Sequence, residues 1–251
     1  DGDIEASLEN MQLAASIYEE VLGDDHLETW EIKTNLTVLL NLSGRFDEAI
    51  ATVEPVYQKQ VEVLGAGHKA TIYSQTALAR LYGEVGRLDE AQLLGESMLK
   101  QAIQELGMAH PLTAGGHFSL AQIYQQQGQF SAAIELIETV LKNEGLDETN
   151  ERVIGTYNTL ADLYLSNGDA KTATEFKEKS LEVAINILTE ESPRAWTQML
   201  NNFEFYLKIK KPEKANIYRD KLTEIFAENE ATSETLLARF KQLNSGGEAS
   251  H

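Results

Sequence analysis

Leu22-Gly23-Asp24-Asp25-His26-Leu27-Glu28-Thr29 returns 42 residues later as Leu64-Gly65-Ala66-Gly67-His68-Lys69-Ala70-Thr71. It returns again after another 42 as Leu106-Gly107-Met108-Ala109-His110-Pro111-Leu112-Thr113. A fixed period of this length marks a solenoid, in which each supersecondary unit buries its apolar face only against its neighbours. A second ladder runs between these motifs. Gly2, Gly44, Gly86, Gly128 and Gly168 lie 42, 42, 42 and 40 residues apart, and Lys210 continues the series. Five positions after each stands a small residue: Ser7, Ala49, Ala91, Ala133, Ala173 and Ala215.

The residues before each turn follow a helical pattern, clearest in Leu78-Ala79-Arg80-Leu81-Tyr82, Leu120-Ala121-Gln122-Ile123-Tyr124 and Leu160-Ala161-Asp162-Leu163-Tyr164. Apolar residues at i, i+1, i+3 and i+4 form one face of a helix. The glycine ends that helix in a left-handed conformation at little cost, and the alanine lets two backbones approach closely. Each unit therefore reads as helix A, a tight turn and helix B. The spacing predicts an all-α chain forming one array over 1–244. A lone helix B at 3–21 precedes hairpins at 26–63, 68–105, 110–144, 149–187 and 192–229. A capping helix over 233–243, with Ser233 as its N-cap, and a flexible tail over 245–251 complete the reading. The connection Lys142-Asn143-Glu144-Gly145 departs from the motif and predicts a bend there. Pro55 predicts a kink, because an interior proline removes a helix hydrogen bond at a cost of about 3 kcal/mol.

This pattern resembles the tetratricopeptide repeat in its longer, 42-residue form, and above all repeats of the kinesin-light-chain type. Those units read approximately L-G-x-x-H-P-x-T, then N-N-L-A-x-L-Y, then Q-G-x-[FY]-x-x-A. Leu106, Gly107, His110, Pro111, Thr113, Leu120, Ala121, Tyr124, Gln127, Gly128, Phe130 and Ala133 match best. The resemblance implies a right-handed superhelical α-solenoid of antiparallel hairpins whose A helices line a concave groove. It also implies a protein-interaction scaffold without catalytic activity.

Composition narrows the partner. The chain carries 40 acidic and 21 basic residues, a formal charge of −19, which repels a phosphate backbone and argues against nucleic acid. The same charge suits solubility or basic partner segments. The absence of cysteine excludes disulfides and thiolate chemistry. No apolar run approaches the roughly 18 residues of a membrane helix, so no membrane partner is expected. No secretory signal is seen, and we expect a cytoplasmic protein. The chain opens in mid-repeat, which predicts a portion of a larger protein.

No phosphate-binding loop, His-Glu-x-x-His zinc site or calcium loop is present. His26, His68 and His110 occupy one position in successive repeats. Helices pack about 8–10 Å apart and two fill each repeat, so these histidines cannot share a zinc whose ligand bonds are ~2 Å. We expect no metal and no cofactor, and a structural role for the histidines at the repeat junction.

Function is expected in the groove. Counting back 13, 10, 9, 6 and 3 positions from each turn residue gives its lining, largely amide, hydroxyl and aromatic, with Arg80 the only cation. That lacks the Lys/Arg pattern of carboxylate-clamp repeats. Amides and hydroxyls can both donate to and accept from an extended peptide. The predicted contacts are Asn35, Thr76, Arg80, Phe118, Gln122, Asn158 and Asp162. Asn35, Asn158 and Asn201 preserve part of the family's asparagine row, which Ala77 and Ser119 interrupt. Gly115 and Gly155 hold one position in adjacent repeats, and a helical glycine costs about 1 kcal/mol relative to alanine. They leave room beside Tyr73 and Phe118 for a pocket, or else permit close helix approach. The alternatives are a regulatory sensor holding a small molecule or signalling peptide, and self-assembly through repeat ends; the oligomeric state stays open.

Overall fold

The computed structural model describes residues 2–143, 150–228 and 233–248, and among these no strand occurs. The chain divides into two compact units, Asp1–Glu144 and Gly145–His251. The first holds α1 (Gly2–Leu22), α2 (Leu27–Leu42), α3 (Phe46–Leu64), α4 (Lys69–Glu84), α5 (Leu88–Leu106), α6 (Pro111–Gln126) and α7 (Phe130–Asn143). Each helix packs on the next in sequence, and the A helix α4 also lies against the A helices α2 and α6. The second unit holds α8 (Arg152–Ser166), α9 (Ala170–Leu188), α10 (Pro193–Lys208), α11 (Pro212–Glu228) and α12 (Glu234–Glu248). There α12 caps the core by setting Phe240 against Phe203 and Phe226, with ring centroids 6.0 and 5.3 Å apart. The result is an all-α solenoid of helical hairpins.

The A-to-B turn is the same backbone device throughout. At Gly86 (φ 78°) the chain leaves α4, the Gly86 N–H donates to Gly83 O at 3.1 Å, and the Arg87 N–H donates to Tyr82 O at 2.8 Å. Those two bonds satisfy carbonyls that the helix end would otherwise leave open. The turn survives in the last hairpin although its residue is Lys210, held at φ 55°, with the Lys211 N–H on Tyr206 O at 2.9 Å. Beyond each turn, Ala49, Ala91, Ala133, Ala173 and Ala215 are all fully buried. A side chain any larger at those points would drive the two helices of the hairpin apart.

The B-to-A junction explains the Leu-Gly-x-x-His-x-x-Thr motif residue by residue. The glycine carries the chain out of helix B at positive φ, as Gly65 does at 84°. The histidine is a helix N-cap: Nδ1 of His26, His68 and His110 accepts the backbone N–H of Glu28, Ala70 and Leu112 at 3.3, 3.2 and 3.1 Å. The threonine is fully buried and reaches back to the preceding helix B. Thr29 donates to Tyr18 O and Thr113 to Ala102 O, each at 3.3 Å. Ser192 replaces the histidine before α10, its Oγ accepting from the Arg194 N–H at 3.3 Å. Thr189 there replaces the glycine and keeps φ 67° with ψ 158°.

A third recurring contact joins hairpins. Tyr82, Tyr124 and Tyr206 donate to Glu54, Glu96 and Glu178 at 2.9, 2.8 and 2.7 Å, each tying an A helix to the helix B before it. Burial, then the Glu96 carboxylate, pushes the Tyr124 hydroxyl up to about 12, so it remains a donor through the neutral range.

Several boundaries depart from expectation. Pro55 does not end α3, which continues to Leu64; the donor this residue lacks would have served the Ala51 carbonyl, and both residues are exposed to solvent. The helix over 233–243 continues to Glu248, through residues expected to be tail. Asn244, Ser245 and the two glycines are poor helix formers, but extending a helix already fixed by Leu236, Phe240 and Leu243 avoids a new nucleus. Residues 249–251 and the irregular connection from Glu144 lie outside the described residues. The hairpin expected from 149 begins its helix at Arg152, with the Asn150 side chain accepting the Arg152 N–H at 3.0 Å.

Two predictions follow from these backbone devices. Thr189, a β-branched residue in a region of φ/ψ space nearly reserved for glycine, holds about 1–3 kcal/mol of strain. Thr189→Gly is therefore expected to raise the unfolding midpoint in urea, net of the larger unfolded-state entropy of glycine; a lowered midpoint would contradict the strain. His68→Ala is expected to destabilise by about 1 kcal/mol while His68→Asn, which keeps a capping acceptor, stays within a few tenths.

Candidate functional site

The face presented by the A helices is where the sequence places a binding surface. The seven predicted contacts fall into two groups there. Asn35, Arg80 and Phe118 have no intramolecular polar partner: neither the Asn35 carboxamide nor the Arg80 guanidinium makes a hydrogen bond or ion pair among the described residues, and Arg80 Nε is buried and unpaired. Phe118 is half-buried on α6. The other four are engaged internally. The Thr76 hydroxyl folds onto its own helix, donating to Ile72 O at 2.7 Å. Gln122 donates to Glu84 at 3.3 Å, bridging α6 and α4.

Asn158 and Asp162, in the second unit, belong to a closed polar network. The two hydrogens of Asn158 Nδ2 are shared among Ile154 O, Ser180 Oγ and Gln198 Oε1, at 3.0, 2.8 and 2.8 Å. Its Oδ1 accepts from Lys177 Nζ at 3.0 Å, and the same ammonium lies 3.2 Å from Asp162. Lys177 is only 6% exposed and its ammonium also faces the Phe205 ring at 5.9 Å. Sequence reasoning missed it because Lys177 lies on the B helix α9, outside a count made along A helices. The available signal was its register: nine residues past the turn, other repeats carry Val53, Gly95 and Ile137. A lysine in that row has to find partners inside the fold.

In each unit a cleft is lined in part by A-helix residues. In the first unit, a cleft of 470 Å³ lies among α2, α3, α4 and α6, lined by Leu27, Glu31, Thr34, Asn35, Gln60, His68, Lys69, Ala70, Tyr73 and Leu112. In the second, a smaller one of 260 Å³ is lined by Glu151, Ile154, Gly155, Leu188, Arg194, Thr197 and Gln198. Of the glycines and aromatics expected to make one pocket, Tyr73 therefore lines the first cleft and Gly155 the second. Gly115 is exposed on α6 with open space where a Cβ would sit. No group of three or more histidine, aspartate or glutamate side chains suited to a metal exists among the described residues. No described helix is long and apolar enough to cross a membrane.

The closed network in α8–α10 makes a sharp prediction. Asn158→Ala strips a buried ammonium of an acceptor and is expected to destabilise the second unit by about 2–3 kcal/mol. Lys177→Met, which removes the charge and keeps the volume, is expected to stay within about 1 kcal/mol of the parent. Urea unfolding of both variants checks this; equal losses would mean that packing, not the charge, sets the cost.

Three family models described as tetratricopeptide repeat match residues 1–28, 31–101 and 117–151. No curated protein matches the chain. Among solved structures, the nearly identical TPR-like repeats of a kinesin light chain of Podosopora anserina superpose with a TM-score of 0.72 at 24% identity, covering 82% of this chain and 99% of that one. BtubC from P. vanneervenii gives 0.63 at 23% identity, covering 90% and 89%. The Rap conjugation gene regulator of plasmid pLS20, solved with the Phr* peptide, gives 0.63 at 12% identity, covering 99% and 71%. With its turns, caps and buried alanines in register, the chain belongs to the tetratricopeptide-repeat family, and its repeats resemble those of kinesin light chains.

Proposed function

We propose that this chain is a non-catalytic interaction module that binds an extended peptide or partner segment along the face of its A helices. One observation carries the reading. Buried polar groups in proteins are almost always hydrogen-bonded, and half-buried ones commonly are. On α2 and α4, however, Asn35 has no intramolecular partner and Arg80 Nε is buried without one. Groups left unsatisfied in the free protein are groups that a partner can satisfy. Asn35 offers both a donor and an acceptor to a peptide backbone, Arg80 a planar fork for a carboxylate, and Phe118, on the next A helix α6, an apolar surface. Thr76 and Gln122 complete the proposed face in the first unit; in the second, Asn158 and Asp162 are the proposed contacts, Asp162 lending negative charge where Lys177 already holds it in place. The Rap regulator, of similar fold, was solved holding a peptide, which supports the mode but not its specificity.

Selection of a random-sequence peptide display library on the immobilised protein tests this reading. Enriched peptides are expected to bind the Arg80→Ala/Phe118→Ala variant at least about tenfold more weakly than the parent, with unchanged helicity by circular dichroism. Undiminished binding by the variant, or no enriched peptide at all, would refute the placement.

A further inference from the structure

The first-unit cleft contains more unsatisfied chemistry than the seven predicted contacts account for. Gln60, on the B helix α3, is 1% exposed, lines the cleft, and its Oε1 accepts no hydrogen bond. A buried acceptor without a donor costs about 1–3 kcal/mol. Around it stand Glu31, whose carboxylate forms no ion pair among the described residues, Asn35 with its free carboxamide, and Tyr73, 38% exposed with an unengaged hydroxyl. Leu27 and Leu112 supply apolar wall. Polar groups converging without partners on a concave, partly apolar site are what a ligand site looks like before it is filled.

The inventory selects the ligand's chemistry. Donors are present in Asn35 Nδ2, Lys69 and Tyr73, but the negative charge and the buried unsatisfied atom lie on the acceptors, Glu31, Asn35 Oδ1 and Gln60 Oε1, and a ligand that answers these brings several donors. The Tyr73 ring and the two leucines suit a flat or aliphatic body behind those donors. Lys69 also lines the cleft, but the surrounding field is negative: residues 1–144 hold 22 of the 40 acidic residues and 8 of the 21 basic ones, a net −14. Such a field concentrates cations. A guanidinium meets every requirement, with five donors in a planar fork, a face that stacks on an aromatic ring, and a three-carbon stem.

We propose that this cleft is an arginine-binding subsite, with the guanidinium of a partner peptide held by Glu31, Gln60 and Asn35 and its stem lying along Tyr73. The inference rests on the peptide-binding reading above and adds to it a side-chain class and a register.

The test uses the peptides recovered from the display library. One arginine is expected at a fixed position, and replacing it with citrulline, which keeps the shape and loses the charge, weakens binding about tenfold. On the Glu31→Gln variant that discrimination disappears. Gln60→Met is expected to raise thermal stability, because the orphaned acceptor is gone, while weakening the arginine peptide; a purely structural role for Gln60 would move both in the same direction. Peptides that bind through the Arg80/Phe118 face without a fixed arginine, or with an acidic residue in its place, overturn the subsite and leave the peptide-binding reading standing. So does a citrulline effect that persists in Glu31→Gln. Failure to recover any peptide overturns both.

Discussion

At each A-to-B turn one residue must sit at positive φ, and the rest of the hairpin hangs on that constraint. Reversal within so few residues aims helix B back along helix A, and the helix-end carbonyls are then satisfied by the turn's own N–H groups rather than by water. Only with that reversal fixed can a fully buried alanine five residues later act as a spacer between the two helices. The same geometry brings a tyrosine near the end of α4, α6 and α10 onto a carboxylate of the helix B before it, as in Tyr124 and Glu96. A solenoid has no long-range core to correct local errors, so each turn has to be right by itself. Lys210 shows the strength of the requirement: with the glycine gone, the backbone still adopts φ 55° and makes the same two bonds.

The junction between hairpins is held by a different logic, one that mixes backbone and side chain. The capping histidine uses Nδ1 as an acceptor, which fixes the neutral ring as the tautomer bearing its proton on Nε2. The threonine three residues on spends its hydroxyl on a carbonyl of the previous helix, so start and stop of consecutive helices are coupled through two side chains. Thr71 breaks the pattern, since its buried hydroxyl has no partner. This junction is also where the first-unit cleft lies, between the starts of α2 and α4.

Most of the fold was legible because its determinants are local and periodic. The glycine ladder, the alanine row and the Leu-Gly-x-x-His-x-x-Thr motif each report a backbone event within a few residues of themselves. The helix limits at Glu248 and Arg152 were less legible, since propensity competes there with packing that no local pattern reveals. The candidate site was readable only as a face. A count along A helices finds Asn35, Arg80 and Phe118 on that face, but it cannot tell a free amide from a committed one. Asn158 looks equivalent to the others in sequence, yet it is closed off by Ser180, Gln198 and Lys177, two of them from the B helix α9. Gln60 escaped for the same reason: it belongs to a B helix, and its significance lies in a bond that it does not make.

The two units thus use similar A-helix positions in opposite ways. In the second, the amide at the centre of the face is one node of a network running from Asp162 through Lys177 and Asn158 to Gln198 and Asn201. Any ligand competing for Asn158 must first break bonds of comparable strength, so little net affinity remains. In the first, Asn35, Glu31 and Gln60 Oε1 have nothing to give up, and each hydrogen bond to a ligand replaces one to water or none at all. For Gln60 Oε1 the desolvation has already been borne by folding, in the form of a buried acceptor left unsatisfied. On the proposed reading, recognition energy is for that reason greatest in the first unit, where the excess of negative charge is also greatest, and the contacts at Asn158 and Asp162 add less.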